Sequence, residues 1–532
     1  MLSMNKLSDP ILTYEQIADE LRVFENDERQ RLGLDESPIR PWSDDNPQDF
    51  SIHQRRHTTI LVGGLTIAHD TLIQSALQGL GYQVDMLDCP DFKALHVGKE
   101  FGNRGQCNPT YFTVGNLIKR LIEMRDVLGI PVERIEQDFL FITAGSCGPC
   151  RFGTYVTEYR KALRDAGFSN FRVLLLQQTE GLKQATGKKA GFAITPTLLL
   201  QFLKAVIAGD VINMIGYRIR PYEVETGATD AALEQSKIIL AETFRRRDSV
   251  LLALRRCRRH LAAVKVNMLR PKPKVMIIGE FWAMTTEGDG NYRLQRFLEE
   301  EGAEVDVQPI TAWILYLIWE VRHDTRRRLK LKTIEPLRNG RAAPNRRRLL
   351  VKLWAAERAV RAMFNAFATA VGLRHYQLAD MGRIAEISHE FYDVELRGGE
   401  GHMEVGKLIE AVQKKKAHMV LSVKPFGCMP SASVSDGVQA SVLTRHPDAI
   451  FCAVETTGDG AVNFQIRVQM FLFKARQKAR SEFDTALQQS GLTLDNARAG
   501  YRQRNAMSFY YPRHVVAGTA ANQVFELKGP SV

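Results

Sequence analysis

Residues Thr58–Leu87, TTILVGGLTIAHDTLIQSALQGLGYQVDML, read as strand, glycine turn, amphipathic helix and strand. A βαβ unit forces parallel pairing and a sheet buried under its crossover helices. Phe139–Ala144 and Phe171–Leu176 add strands of the same kind, and Asn116–Leu128 and Thr197–Ile207 carry helical period. PKPK at Pro271–Lys274 punctuates the chain. VMIIGEFWAMTTEGDGNYRLQRFLEEEGAEVDVQPI (Val275–Ile310) then repeats the strand–loop–helix–strand plan. A third α/β stretch begins near Ile384, with strands in AHMVLSVKPFGCMPS (Ala417–Ser431) and DAIFCAVETTGDG (Asp448–Gly460). The expected fold class is α/β: several Rossmann-like parallel-sheet sub-domains with helical insertions around one site. The expected division is an arm at 1–57, α/β segments at 58–270, 271–383 and 384–492, and a C-terminal arm at 493–532.

A chain of 532 residues carries roughly three or four domains by length. It shows no run of about 18 apolar residues and no basic-then-apolar leader, so a cytoplasmic protein is expected. Seven cysteines in such a chain are no disulfide framework and point to metal or catalytic roles. The net charge of +12 is concentrated in Phe244–His260, Arg322–Lys332 and Asn345–Trp354. These blocks lie on apolar-periodic helices without interleaved aromatics. They read as solvated faces or a docking surface for an acidic partner, not as a nucleic-acid surface.

Chemistry gathers at strand ends. FLFITAGSCGPCRFGTY (Phe139–Tyr155) reads as a buried strand, a tight turn with Cys147 and Cys150, and a helix start, where amides and the macrodipole favour thiolates. Cys428 follows HMVLSV, Cys89 follows QVDMLD, and Cys107 stands in FGNRGQCNPTY before a helix. Ligands of open parallel sheets bind beyond the carboxyl ends of strands, so four or five of these cysteines can converge on one crevice. Four thiolates suit a [4Fe–4S] cluster or tetrahedral zinc. Cys452 alternates within a strand and reads as packed; Cys257 sits on a basic helix with nothing nearby to complete a metal site.

The strings NRGQCNPTYFTVGNL, GSCGPCRFGTYVTEYRKALRDAGF, GEFWAMTTEGDGNYRLQRFLEEEGAEV, LRGGEGHMEVGKL and VKPFGCMPS with VSDGVQ resemble the acyl-CoA dehydratase activase-related proteins. That group includes the D subunit of 2-hydroxyglutaryl-CoA dehydratase and the double-cubane cluster proteins. The resemblance runs from about Thr58 to Arg476. It implies flavodoxin-like sub-domains around an iron–sulfur cluster, held here by Cys107, Cys147, Cys150 and Cys428, with Cys89 a weaker candidate. It also implies low-potential electron transfer to a thioester or another difficult acceptor, powered by a separate ATP-hydrolysing activator. An acyl-CoA substrate, a double cubane and a homo- or hetero-oligomer are further implications. No ATP site of that activator's kind is evident in this sequence, and a six-ligand double cubane would need two more cysteines.

Rival readings stay open. SCGPC has a thioredoxin-like redox tetrad and ITPTLLL (Ile194–Leu200) mimics that fold's Pro-Thr strand, but Ser146 stands where Trp is usual. GHMEVGKL (Gly401–Leu408) fits a phosphate loop except that Leu408 replaces Ser/Thr. His389 and His402 flank it. Glu287 and Asp289, and Glu455 and Asp459, form two acidic turns whose plain role is helix capping. Lys424 and Arg104 adjoin ligand loops and could offset cluster charge. A last reading is a relay subunit that holds a cluster without turning over substrate.

Overall fold

The computed structural model describes residues 13–33, 50–145, 150–177, 181–182, 191–330, 345–373, 376–396, 400–504 and 512–527. The chain forms two units, Met1–Asp45 and Asn46–Val532. In the first, the helix Tyr14–Arg31 begins with a capping box, Thr13 and Gln16 each accepting from the other's backbone N–H.

The second unit contains two sheets. The first pairs β1 (Thr59–Val62), β2 (Gln83–Met86), β3 (Phe139–Gly145) and β4 (Arg172–Gln177) in the order β2–β1–β3–β4, all parallel, with β5 (Gly181–Leu182) antiparallel at the edge. The second pairs β6 (Lys274–Gly279), β7 (Glu304–Val307), β8 (Met419–Pro425) and β9 (Ile450–Thr456) in the order β7–β6–β8–β9, all parallel. Counted within each half, both orders are 2-1-3-4, so the α/β expectation holds. The sequence boundary near 383 falls inside one sheet: 271–383 and 384–492 supply two strands each.

Both faces of each sheet are covered. In β1, Ile60 enters one core and Leu61 the opposite one; in β6, Val275 and Ile277 face one core and Ile278 the other. This period-two split of continuous apolar strands is the signature of a buried parallel sheet. The helix Pro196–Ile219 runs through the largest core. Pro196–Tyr222 is long and apolar enough to cross a membrane by composition, yet 61% of its most apolar window is buried inside the protein. A mostly apolar, mostly buried helix of this kind also serves as a core helix. Its Asp210 accepts from the Ile310 and Thr311 N–H groups (2.8 Å each), capping the helix Ile310–Lys330.

The C-terminal region departs from an extended arm. Leu494–Arg504 and Thr519–Leu527 are helices. Ala497, Ala520, Ala521 and Val524 bury against Phe483 and Ala486 of the long helix Ala461–Ser490. Small side chains permit that close approach, a packing signal that a polar-looking tail hides.

Candidate thiol and carboxyl site

Three of the expected cysteines stand immediately before helices. Cys107 precedes Asn108–Asp126, Cys150 precedes the turn Arg151–Thr154 that runs into Tyr155–Asp165, and Cys428 precedes Met429–Ser433. Free N–H groups of a first helical turn point toward such positions. Pro109 and Pro430 each stand two residues on, where a missing N–H leaves no bond unmade.

The loops meet across the two sheets. The Asn108 N–H donates to the Phe426 carbonyl (2.9 Å) and its side chain to the Thr456 carbonyl (3.1 Å). Gly427 has φ +77° and lies on Cys107: a Cβ there would come within 3.1 Å of the Cys107 Cα and the Gln106 carbonyl oxygen. The Arg151 guanidinium donates to the Gly105 carbonyl. The buried Glu158 carboxylate accepts from the Asn103 backbone (3.1 Å), the Asn103 side chain (2.9 Å) and the Gln106 side chain (3.0 Å). Cys107 is thus fixed between the Cys150 loop of its own sheet and the Cys428 loop of the other.

Cys107 Sγ lies 3.1 Å from both Thr110 Oγ1 and the Tyr155 hydroxyl. Cys107 is buried, whereas Cys150 and Cys428 keep part of their surface open. Behind them stand three carboxyl groups that sequence reasoning missed. Glu280 follows β6 and accepts from Ala283 N–H (2.8 Å). Glu400 accepts from Phe281 N–H (2.6 Å), and Glu404 accepts from the Ser431 hydroxyl (2.8 Å). Burial pushes Glu280 and Glu404 up to about 7 and holds Glu400 well above the carboxylate range, with Glu280 and Glu404 adding repulsion there. Glu404 also hydrogen-bonds Glu400, carboxyl to carboxyl. Burial, and then the charges of Glu280 and Glu400, push the Cys150 thiol up to about 11 and the Cys428 thiol further. Charge on Cys107 contributes to the rise at Cys150.

The thiols drawn from both sheets suit a soft metal or cluster, with hydroxyls beside one of them. Metal binding would reverse the upward push on the thiols, because a bound cation outweighs the local acids. Among the described residues no three His, Cys, Asp or Glu side chains are already drawn into a metal-ligand group. Cys147 lies outside the described residues.

The other candidates go elsewhere. Cys89 keeps company with Glu287, Thr286 and Asp70, and its Sγ lies against Gly288. Cys452 is buried within β9, and Cys257 is buried with its thiol toward the Ser236 carbonyl (3.7 Å). Gly401–Leu408 is no phosphate loop: the helix His402–Gln413 starts inside it and Gly406 packs on the Ile384 backbone. His402 is buried against Trp319, and burial pushes it down to about 4; His389 is exposed. Pro196 opens a helix, so ITPTLLL supplies no strand.

The first acidic turn caps helices elsewhere in the chain. Glu287 accepts from Ile67 N–H (2.6 Å) and Asp289 from Phe92 N–H (3.1 Å), so TTEGDG closes the helices Ile67–Gly79 and Phe92–Phe101. The second turn instead offers three N–H groups, of Thr457, Gly458 and Gly460, to the Tyr292 hydroxyl (3.0, 3.0 and 3.2 Å). The two turns follow β6 and β9 of the same sheet. Lys424 pairs with Glu455 (3.8 Å), and Arg104 is exposed.

No protein-family model matches this chain, and no curated protein matches it.

Proposed function

We propose that this chain is an iron–sulfur protein of the dehydratase- and activase-related group it resembles. Cys107, Cys150 and Cys428, with Cys147 from the same turn as Cys150, would hold a [4Fe–4S] cluster. The observation that carries this reading is the meeting of the Cys107 and Cys428 loops, one from each sheet, across Gly427. The cluster, when bound, supplies one-electron transfer at low potential to a thioester or another difficult acceptor. A separate ATP-hydrolysing partner would deliver the electrons, and a reducing, cytoplasmic setting suits free thiols.

The protein's own groups fit that task. The Phe152 N–H donates to Cys150 Sγ (3.5 Å), and the Tyr155 and Thr110 hydroxyls hydrogen-bond Cys107. Net charge and hydrogen bonds near the sulfurs set the potential of such a centre. Glu280 and Glu400 lie close enough to act on the Cys150 and Cys428 thiols, and Glu404 bonds Ser431 three residues on from Cys428. Their raised affinity for protons lets them hold protons close to where an acceptor would dock. Thiol–disulfide exchange, with Cys147 attacking and Cys150 resolving, is less well supported, because it leaves Cys107 and Cys428 without a role.

The test is anaerobic purification with iron and sulfide analysis and electron paramagnetic resonance after dithionite. The reading predicts about four irons per chain and a reduced-cluster signal. Stoichiometric zinc without iron would make the site structural. A Cys147–Cys150 disulfide that cycles under dithiothreitol without iron would replace the reading with thiol redox chemistry.

A further inference from the structure

The helices Ile310–Lys330 and Arg346–Val371 lie side by side as a hairpin. Arg322 of the first and Arg361 of the second both pair with Glu357, and the Arg346 guanidinium donates to the Arg328 carbonyl (2.6 Å). The last turn of the first helix therefore lies beside the first turn of the second. The second helix buries Val360, Phe364, Phe367 and Ala368 in the largest core. Its outer face differs. Arg347, Val351, Trp354 and Arg358 follow at i, i+4, i+7 and i+11 and are all exposed, Val351 at 65% and Trp354 at 54%. Arg348, Lys352, Ala355 and Ala359 run beside them, also exposed. Leu329 adds an exposed apolar side chain at the end of the first helix.

Six exposed cations accompany these apolar groups: Arg326, Arg328, Arg347, Arg348, Lys352 and Arg358. None of them is in an ion pair among the described residues. Glu357, already taken up by two arginines, is the only acid in Arg346–Val371. The Arg358 guanidinium lies over the Trp354 ring (5.8 Å). A lone apolar side chain at a surface is ordinary. Trp and Val on a helix face whose charges are all positive have instead the composition of an interfacial helix. There, apolar side chains enter the boundary between headgroups and acyl chains while Arg and Lys reach the lipid phosphates. At these exposures, with only alanines beside them, Val351 and Trp354 project from the helix and line no groove. Lipid closes around a projecting side chain, whereas a protein partner must supply a matching pocket.

We propose that the outer face of Arg346–Val371, with the end of Ile310–Lys330, seats this protein on an anionic lipid surface. Trp354 and Val351 enter the headgroup region, and the six cations meet the negative headgroups. So short an apolar strip gives peripheral, reversible binding that depends on lipid charge. This surface is independent of the thiol site.

Flotation of the full-length protein with lipid vesicles tests it. Vesicles of phosphatidylcholine mixed with phosphatidylserine should carry the wild type up the gradient, phosphatidylcholine alone should not, and high salt should release it. A cation at an anionic leaflet is worth about fivefold in affinity, so Arg347→Glu with Arg348→Glu should weaken binding more than tenfold. Trp354→Ser should weaken it several-fold. Trp354→Phe should still bind but lose the quenching of tryptophan emission by brominated lipid that the wild type shows. Lys478→Glu with Arg480→Glu, an equal charge change at exposed positions of Ala461–Ser490, should bind as the wild type does. That control separates this face from attraction by net charge, and unchanged helical circular dichroism guards against misfolding. No binding to the anionic vesicles, an equal loss in the Lys478 and Arg480 variant, or binding that survives Trp354→Ser combined with Arg347→Glu and Arg348→Glu would each overturn the proposal. So would a photo-crosslinker at residue 354 that joins an acidic protein and no lipid.

Discussion

Replacing Gly427 by alanine probes the contact on which the site depends. Gly427 lies in the left-handed region, where a Cβ costs about 1–2 kcal/mol. The new methyl would also stand 3.1 Å from the Cys107 Cα and the Gln106 carbonyl oxygen, closer than carbon normally comes. Neither neighbour is free to retreat, since the Asn108 N–H is bonded to the Phe426 carbonyl and Gln106 is held by Glu158. Overpacking of this kind adds about 1–3 kcal/mol, for a total of about 2–5 kcal/mol. With an unfolding entropy of about 2 cal/mol/K per residue, a body of this size loses about 1 °C per kcal/mol, so the melting temperature should fall by about 2–5 °C. Gly437→Ala is the control, because nothing lies within 4 Å of its added methyl and its φ is not positive. The assay is paired thermal and urea unfolding, with iron content measured on the same preparations. Gly427→Ala should lose iron along with stability, as the two loops are forced apart. A Gly427→Ala protein that melts within 1 °C of wild type and of the control would refute the claim that this close approach is required.

Other expectations follow from buried and capping charges. Arg218→Met would take the nearer of two cations from the buried Glu304, which keeps Lys274 (3.8 Å) and the Tyr222 hydroxyl (2.8 Å), and should cost about 1–3 kcal/mol; Arg218→Met with Glu304→Leu should recover most of that in urea titrations. Glu287→Gln should lower stability by about 0.5–1 kcal/mol through the weakened cap on Ile67–Gly79, read from the urea midpoint. Glu280 and Glu404 have folded-state pKa values raised to about 7 by burial. Their contribution to stability is therefore full below about pH 4.5 and is lost as pH rises through about 7, because the unfolded chain sheds those protons first. Urea midpoints of the metal-free protein should fall between pH 5 and pH 8, and Glu280→Gln with Glu404→Gln should flatten that fall; an unchanged slope would contradict the proton-holding role.

Much of the fold can be read from the sequence because buried parallel strands announce themselves. TILV, FLFITA, KVMIIG and MVLSV are short apolar runs closed by Gly or Pro, and each is a strand. What could not be read is which strands share a sheet: β6 and β8 pair although more than a hundred residues separate them, and no local pattern encodes that. Cys107, Cys150 and Cys428 were legible from their place at strand ends and helix starts. The acids were not. Glu400 and Glu404 lie in a stretch that looks like a failed phosphate loop, and Glu280 looks like an ordinary residue after a strand. A shared signal was present, since Cys-x-Pro occurs at both Cys107 and Cys428. Cys89 looked equivalent to them by local context, but its strand end faces the Glu287 turn.

The central claim is that one metal centre draws ligands from both sheets. The most direct measurement is iron content and the reduced paramagnetic signal of anaerobically prepared Cys107→Ala, Cys428→Ala and Cys89→Ala proteins against wild type. The account predicts that Cys107→Ala and Cys428→Ala each lose the cluster while Cys89→Ala retains it. A full complement of iron with an unaltered signal in Cys428→Ala would contradict it.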